Sequence, residues 1–357
     1  VMDELFMDDT VDIIDEMPAS VAQRILKQTD SKTRNMVNKL LAYPESSAGS
    51  VMTTEYLSVK KGMTVDEAFE SIRNNAVDTE SIYTCYVTDR SRKLLGVITI
   101  RDLLLADKSA VVYDIMDENV IFANTLTDRE EVVSLFDKYD LYVLPVVDNE
   151  NRLVGIITVD DVIDVMQEEA TEDIEMMAAI LPSEKSYLKT GVFATFKARI
   201  PWLMFLMISA TFTGAIISSF EGKLSKWMAL IAFIPMLMGT GGNSGSQSSV
   251  TVIRCLSTGE IEFKDIWRVI WKELRVSIVC GVVLGIVNFV KLYLVDYLWL
   301  NNFDEGVHLI EMLVVSITVV LVVIVAKLVG SVLPIVAKKL GADPAVMASP
   351  LVTTILD

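Results

Sequence analysis

Three groups of residues could do chemistry, and all three are rich in oxygen. The first lies in Pro235–Gln247, which reads PMLMGTGGNSGSQ. Asn243 and Gln247 there are spaced i and i+4 and would share one helical face. An apolar run from Trp227 to Ile234 precedes this stretch, and Val250, Val252 and Ile253 follow it. Glycines and amides therefore sit inside a segment long enough to cross a bilayer. Lipid cannot hydrogen-bond loose backbone, so the segment needs protein or a watery cavity around it. A permeation path fits; the alternative is a small-residue helix contact.

The second group centres on Asp357, a carboxylate after an apolar run that also holds Pro344 and Pro350. A lone carboxylate at membrane depth should face a cavity or a cation; its plainer reading is a residue near a helix end. The third group is the run from Asp117 to Glu175, with 17 carboxylates and three bases, Arg129, Lys138 and Arg152. A solvated surface is the default for such a run. Spacing argues for more. Asp161, Asp164 and Glu168 fall at i, i+3 and i+7, and Glu169, Glu172 and Asp173 form another close set. Like charges one turn apart repel, and a hard divalent ion prefers such oxygens.

Composition shows what must hold these groups. The net charge is −17 and the mean hydropathy +0.45. Residues 1–190 hold 18 Lys/Arg against 37 Asp/Glu, while residues 191–357 hold 13 against 11. An acidic soluble half is joined to a near-neutral membrane half. Such acidity argues against nucleic-acid binding. Cys85, Cys255 and Cys280 lie far apart in the sequence and His308 is the sole histidine, so a soft-metal site is not expected. The N-terminus carries acids where a secretory signal would carry bases.

Residues 1–45 show amphipathic helices, with Asp30 or Ser31 placed to cap between them. Forty-odd residues make a thin domain alone, so this is expected to be the tail of a larger helical domain or a short linker bundle. Residues 46–168 contain a repeat. LLGVITIRDL (Leu94–Leu103) recurs 59 residues later as LVGIITVDDV (Leu153–Val162). Each copy follows a β-like run, Tyr83–Thr88 or Tyr142–Val147, and Val51–Val59 and Ile115–Ala123 match as opening strands. The motif resembles the CBS module, which works in tandem pairs. That resemblance implies that Thr99, Arg101 and Asp102, with Thr158 in the second copy, can face a nucleotide such as ATP. Their plainer role is to cap the following helices.

Asp164–Leu181 reads as one acidic helix ended by Pro182. Four full spans follow, Pro201–Phe220, Trp227–Ile253, Ser277–Leu298 and Leu309–Ala337, with a shorter fifth, Ala342–Asp357. Lysines and arginines before the first span, between the second and third, and after the fourth predict a cytoplasmic N-terminal half. The expected architecture is a multidomain membrane protein. It has an α-helical N-terminal remnant (1–45), a tandem α/β CBS pair (46–168), an acidic connecting helix (169–190) and a five-helix transmembrane domain (191–357) with its fifth helix truncated.

The CBS pair, the acidic helix, PMLMGTGGNSGSQ and GADPAVMASPLVTTILD (Gly341–Asp357) together resemble the MgtE family of magnesium channels, from about Leu5 onward. The resemblance implies a homodimer in the cell membrane whose second and fifth helices line one pore. Asp357 would hold Mg²⁺ there with Asn243, Gly242, Gln247 and Ser349. Mg²⁺ keeps several waters, so a partly hydrated ion is expected. Many relatives carry Asn where Ser349 stands. The family's regulatory Mg²⁺ would fall to Asp128, Glu130, Asp137, Asp140, Asp161, Asp164, Glu169, Glu172 and Asp173, closing the pore when Mg²⁺ is plentiful. Some relatives have a small neutral residue in place of Asp137. No Walker motif or nucleophile–base pair is visible, so an enzyme is not expected. The other readings are a cation-coupled Mg²⁺ carrier, and a membrane-anchored CBS nucleotide sensor without transport.

Overall fold

A computed structural model describes residues 5–15, 17–182, 187–188, 190–224, 228–299, 309–347 and 349–356. The chain divides into two compact units, Val1–Glu169 and Ala170–Asp357.

The first unit opens with α1 (Met7–Asp15), α2 (Ala19–Gln28) and α3 (Ser31–Leu40). Asp30 caps α3, accepting from the Lys32 and Thr33 amides at 2.8 and 3.1 Å. Val11, Ile14, Val37 and Leu40 bury their apolar face in one core with Met52, Phe136, Leu144 and Ile157. These helices are too small to fold on a core of their own, and they share that of the second repeat.

The first repeat contains α4 (Ala48–Val51), β1 (Tyr56–Lys60), α5 (Val65–Asn75), β2 (Ser81–Thr88), β3 (Leu94–Thr99) and α6 (Ile100–Leu105). The second contains α7 (Val112–Ile115), β4 (Ala123–Asn124), α8 (Arg129–Tyr139), β5 (Val143–Val147) and β6 (Leu153–Thr158), then runs into α9 (Val159–Met177). Each sheet is three-stranded in sequence order, its first pair parallel and its second antiparallel. The repeat reaches the hairpin turns. Arg92 and Asn151 both adopt left-handed backbone, at φ 67 and 59. The Leu94 amide donates to the Asn151 carbonyl and the Leu153 amide to the Arg92 carbonyl, both at 3.0 Å. Gly96 and Gly155 admit a crossing chain: a Cβ on Gly96 would lie 2.8 Å from the Asp117 carbonyl oxygen, and one on Gly155 2.6 Å from that of Thr53.

The opening strands differ from expectation. Val51 ends α4, so β1 starts only at Tyr56, and Ile115–Ala123 yields no more than the two residues of β4. Asp117 folds the chain back, accepting from the Asn119 amide at 2.9 Å, and leaves a single bridge to Val97. The acidic helix starts at Val159, directly after β6, and ends at Met177 before Pro182 is reached. Ala179 at φ 56 closes it.

The second unit is helical: α10 (Val192–Leu224), α11 (Met228–Ile231), α12 (Ile234–Ser257), α13 (Ile266–Lys291), α14 (Leu309–Lys339) and α15 (Ser349–Leu356). Three segments are long and apolar enough to cross a membrane, Val192–Lys223, Phe263–Val295 and Leu309–Lys339. The first and second of these begin earlier than predicted. Pro201 lies inside α10 rather than at its start, and Arg268, Lys272 and Arg275 ride on α13. The second predicted span breaks before Ile234, because Pro235 lacks an amide hydrogen and suits a first turn. The fifth is a short turn, Pro344–Met347, followed by α15.

Candidate functional site

The stretch PMLMGTGGNSGSQ is helical throughout and contains no loose backbone. Gly241, Gly242 and Gly245 occupy a different face from its amides. A Cβ on Gly241 would come within 2.9 Å of Val322, and one on Gly330 within 2.2 Å of the Gly245 carbonyl oxygen. Gly245 also lies against Val352 and Leu356. These residues form the small-residue contact of α12 with α14 and α15. Gly242 belongs to it as well, since a Cβ there would lie 2.8 Å from Thr353. It is buried within this chain.

Asn243 and Gln247 are exposed, in line with Pro235, Gly239, Val250 and Arg254. The two amides therefore do share one face, left uncovered by α14 and α15 of the same chain. Asp357 and the Ser349 side chain lie outside the described residues. Ser249 donates to the Met347 carbonyl at 2.7 Å and ties α12 to the turn before α15.

Sequence reasoning passed over Lys327, the sole cation well inside the fourth span. Its position was the signal, because ionisable residues at membrane depth are costly and rarely idle. Lys327 is 7% exposed. Its ammonium donates to Ser248 Oγ at 3.4 Å, and Ser248 donates to Glu273 Oε2 at 2.7 Å. A lysine on α14, a serine on α12 and a glutamate on α13 thus form one polar chain.

In the first unit, Asp128 caps α8 by accepting from the Glu130 amide at 2.9 Å, and Asp140 ends the same helix in left-handed backbone at φ 51. Asp137 and Asp164 are exposed. Arg129 pairs with Glu168 at 3.1 Å and also with Glu169, so Glu169 already has a cation. In the second unit, Asp173 accepts from Ser257 at 3.4 Å. Among the described residues no three acid, histidine or cysteine side chains converge closely enough to hold a metal ion by themselves.

The structure instead brings Asp161 within electrostatic reach of carboxylates that spacing did not single out. Burial, then the charge of Asp161, pushes the Asp8 carboxyl up to about 7 and that of Asp12 to about 6. Glu80 rises to about 7 through burial and the charges of Asp8 and Asp161, and its Oε2 is buried without a hydrogen-bond partner. Asp161 is itself raised by burial, against a 2.6 Å bond from Thr158 Oγ1. Asp8 and Asp12 are one turn apart on α1, a spacing that could have flagged them.

Two of the nucleotide candidates form a helix cap. Thr99 accepts from the Asp102 amide at 3.1 Å, and Asp102 accepts from the Thr99 amide at 3.3 Å, a reciprocal capping box. The Arg101 side chain is exposed.

Comparison with known proteins gives these features a context. Residues 234–357 match a divalent cation transporter family, MgtE; residues 48–109 and 112–168 match CBS domains; and residues 1–46 match the MgtE intracellular N domain. The magnesium transporter MgtE of Thermus thermophilus is 42% identical over 94% of this chain and 72% of its own length. That of Bacillus subtilis is 36% identical over 100% of this chain and 76% of its own length. A crystal structure of the cytosolic domain of the Mg²⁺ channel MgtE in complex with ATP matches with 45% identity and a TM-score of 0.45, covering 46% of this chain and 67% of that one. Inosine-5'-monophosphate dehydrogenase of Methanocaldococcus jannaschii matches 32% of this chain at 37% identity, a likeness confined to the CBS modules. The chain belongs to the MgtE family: it is a membrane protein that transports Mg²⁺, not an enzyme.

Proposed function

We propose that the chain is a Mg²⁺ channel whose path runs along the Asn243–Gln247 face of α12 and closes when cytosolic Mg²⁺ fills the acidic sites. The observation that carries this reading is the uncovered polar stripe on α12, beside glycines packed so tightly that the helix is otherwise committed. A second copy of the chain would cover that stripe and bring a second Asp357 to the path, with the first unit on the cytoplasmic side of the cell membrane. Two carboxylates cannot strip Mg²⁺ of its waters, so the ion passes partly hydrated, held by Asp357, Asn243, Gln247 and Ser349.

The closing signal rests on repulsion. Asp8, Asp12, Glu80 and Asp161 crowd negative charge into a half-buried space, which a divalent ion relieves. Asp128, Glu130, Asp137, Asp140, Asp164, Glu169, Glu172 and Asp173 supply further oxygens. ATP at Thr99, Arg101, Asp102 and Thr158 acts as a modulator. The test is Mg²⁺ uptake and patch-clamp current in cells lacking their own importers. Asn243→Ala and Asp357→Asn should abolish most current. Asp161→Asn with Asp8→Asn should conduct but stay open at high cytosolic Mg²⁺. Wild-type current in the first pair would refute the path, and undiminished closure in the second would refute the sensor.

A further inference from the structure

The chain Lys327–Ser248–Glu273 joins three helices of the second unit at a place where lipid or protein surrounds them. Lys327 is buried at 7% exposure, and its ammonium reaches the Glu273 carboxylate through the Ser248 hydroxyl, at 3.4 and then 2.7 Å. A serine hydroxyl has one proton to give. Here it goes to Glu273, leaving a lone pair for Lys327. Both charged groups thereby hydrogen-bond to one residue of α12, and turning α12 would break both bonds.

Ser248 follows Gln247 by one residue, so it points about 100° away around the helix. Holding Ser248 between α13 and α14 therefore fixes where Gln247 and Asn243 face. The neighbouring glycines hold α12 against α14 and α15, and Ser248 adds the hydrogen-bonded contact toward α13 that they do not supply.

We propose that Lys327 is a positioning residue for transport: acting through Ser248 and against Glu273, it sets the rotation of α12 that turns Asn243 and Gln247 to the ion path. This inference rests on α12 lining that path.

The experiment uses the full chain with its three native cysteines replaced and single cysteines at Asn243, Ser244, Ser246 or Gln247. Mg²⁺ uptake in importer-deficient cells is measured with reactivity toward a small cationic methanethiosulfonate. In the otherwise native protein, Asn243→Cys and Gln247→Cys should be labelled by the reagent and Ser244→Cys and Ser246→Cys should not, while uptake is compared in chains that keep Asn243 and Gln247. If neither reacts, the path itself is wrong, and this proposal falls with it. Lys327→Met leaves Glu273 without its cation and can fail to assemble, so the deciding variant is Lys327→Met with Glu273→Gln, which leaves no unmatched charge. That double variant should reach the membrane yet lose about tenfold in uptake, as a supporting residue removed from a geometric site does. Its reactivity should shift from Asn243→Cys and Gln247→Cys to Ser244→Cys or Ser246→Cys. Lys327→Arg should recover most of the uptake with the native pattern. A double variant with native uptake and native reactivity would mean that Lys327 only neutralises Glu273, and would overturn the proposal.

Discussion

The two units treat charge in opposite ways. In the second, Lys327 and Glu273 meet through Ser248. In the first, Asp8, Asp12, Glu80 and Asp161 gather with no nearby base among the causes of their raised affinity for protons. One region has settled its electrostatics within the chain. The other is left wanting a cation from outside. Low dielectric explains the first, since an unmatched charge among apolar helices is hard to sustain. The proposed sensor would draw on the second, because the missing charge can be supplied by a cation from outside.

That contrast can be broken at its most rigid point. Gly330→Val would drive a side chain into the Gly245 backbone, where even a Cβ comes to 2.2 Å. Overpacking of this kind should cost about 3 kcal/mol or more and lower the thermal unfolding temperature of the detergent-solubilised protein sharply. A small change would show that the second unit yields as readily as the first.

The first unit can be tested with protons. Folding lifts the Asp8 carboxyl from 3.8 to about 7, so the folded state binds more protons than the unfolded one between those values. Without Mg²⁺, stability contributed there is present at low pH and lost as pH rises through that window. Hydrogen exchange in α1, corrected for the intrinsic rate, should therefore be faster at about pH 8 than at about pH 5, and Mg²⁺ should slow it at the higher pH. Asp8→Asn should flatten both responses. Exchange indifferent to pH and Mg²⁺ in the native chain would remove the contrast.

The smallest effect sharpens it. Thr99→Ala removes one half of the capping box on α6, at about 1 kcal/mol of stability, read by chemical denaturation, while Thr99→Ser should be nearly silent. If Thr99→Ala also weakens ATP binding in titration calorimetry, the cap and the nucleotide contact are one group.

What the sequence disclosed follows from what local pattern can encode. The repeat at Leu94 and Leu153 fixed both sheets, because identical hydrophobic spacing and an Asp-led turn dictate the same hairpin twice. Asn243 and Gln247 were legible as a shared face, since one helical turn is enough to say so. The separation of Gly241, Gly242 and Gly245 from that face was not, because it depends on which neighbour packs where. The proposed sensor was half legible. Asp161 stood out by spacing along α9, but Asp8 and Glu80 come from distant parts of the chain and meet it only through the fold. The breaks before Ile234 and around Pro344 were missed because an apolar run reads the same whether one helix or two carries it.

The meeting of Gly330 with the Gly245 carbonyl has one more consequence. Main chain touches main chain there, with no flexible group between to absorb a shift. Where the two helices cross, α12 and α14 must travel as a single block. Conductance can then change by moving that block against something else, but not by sliding one of the pair along the other.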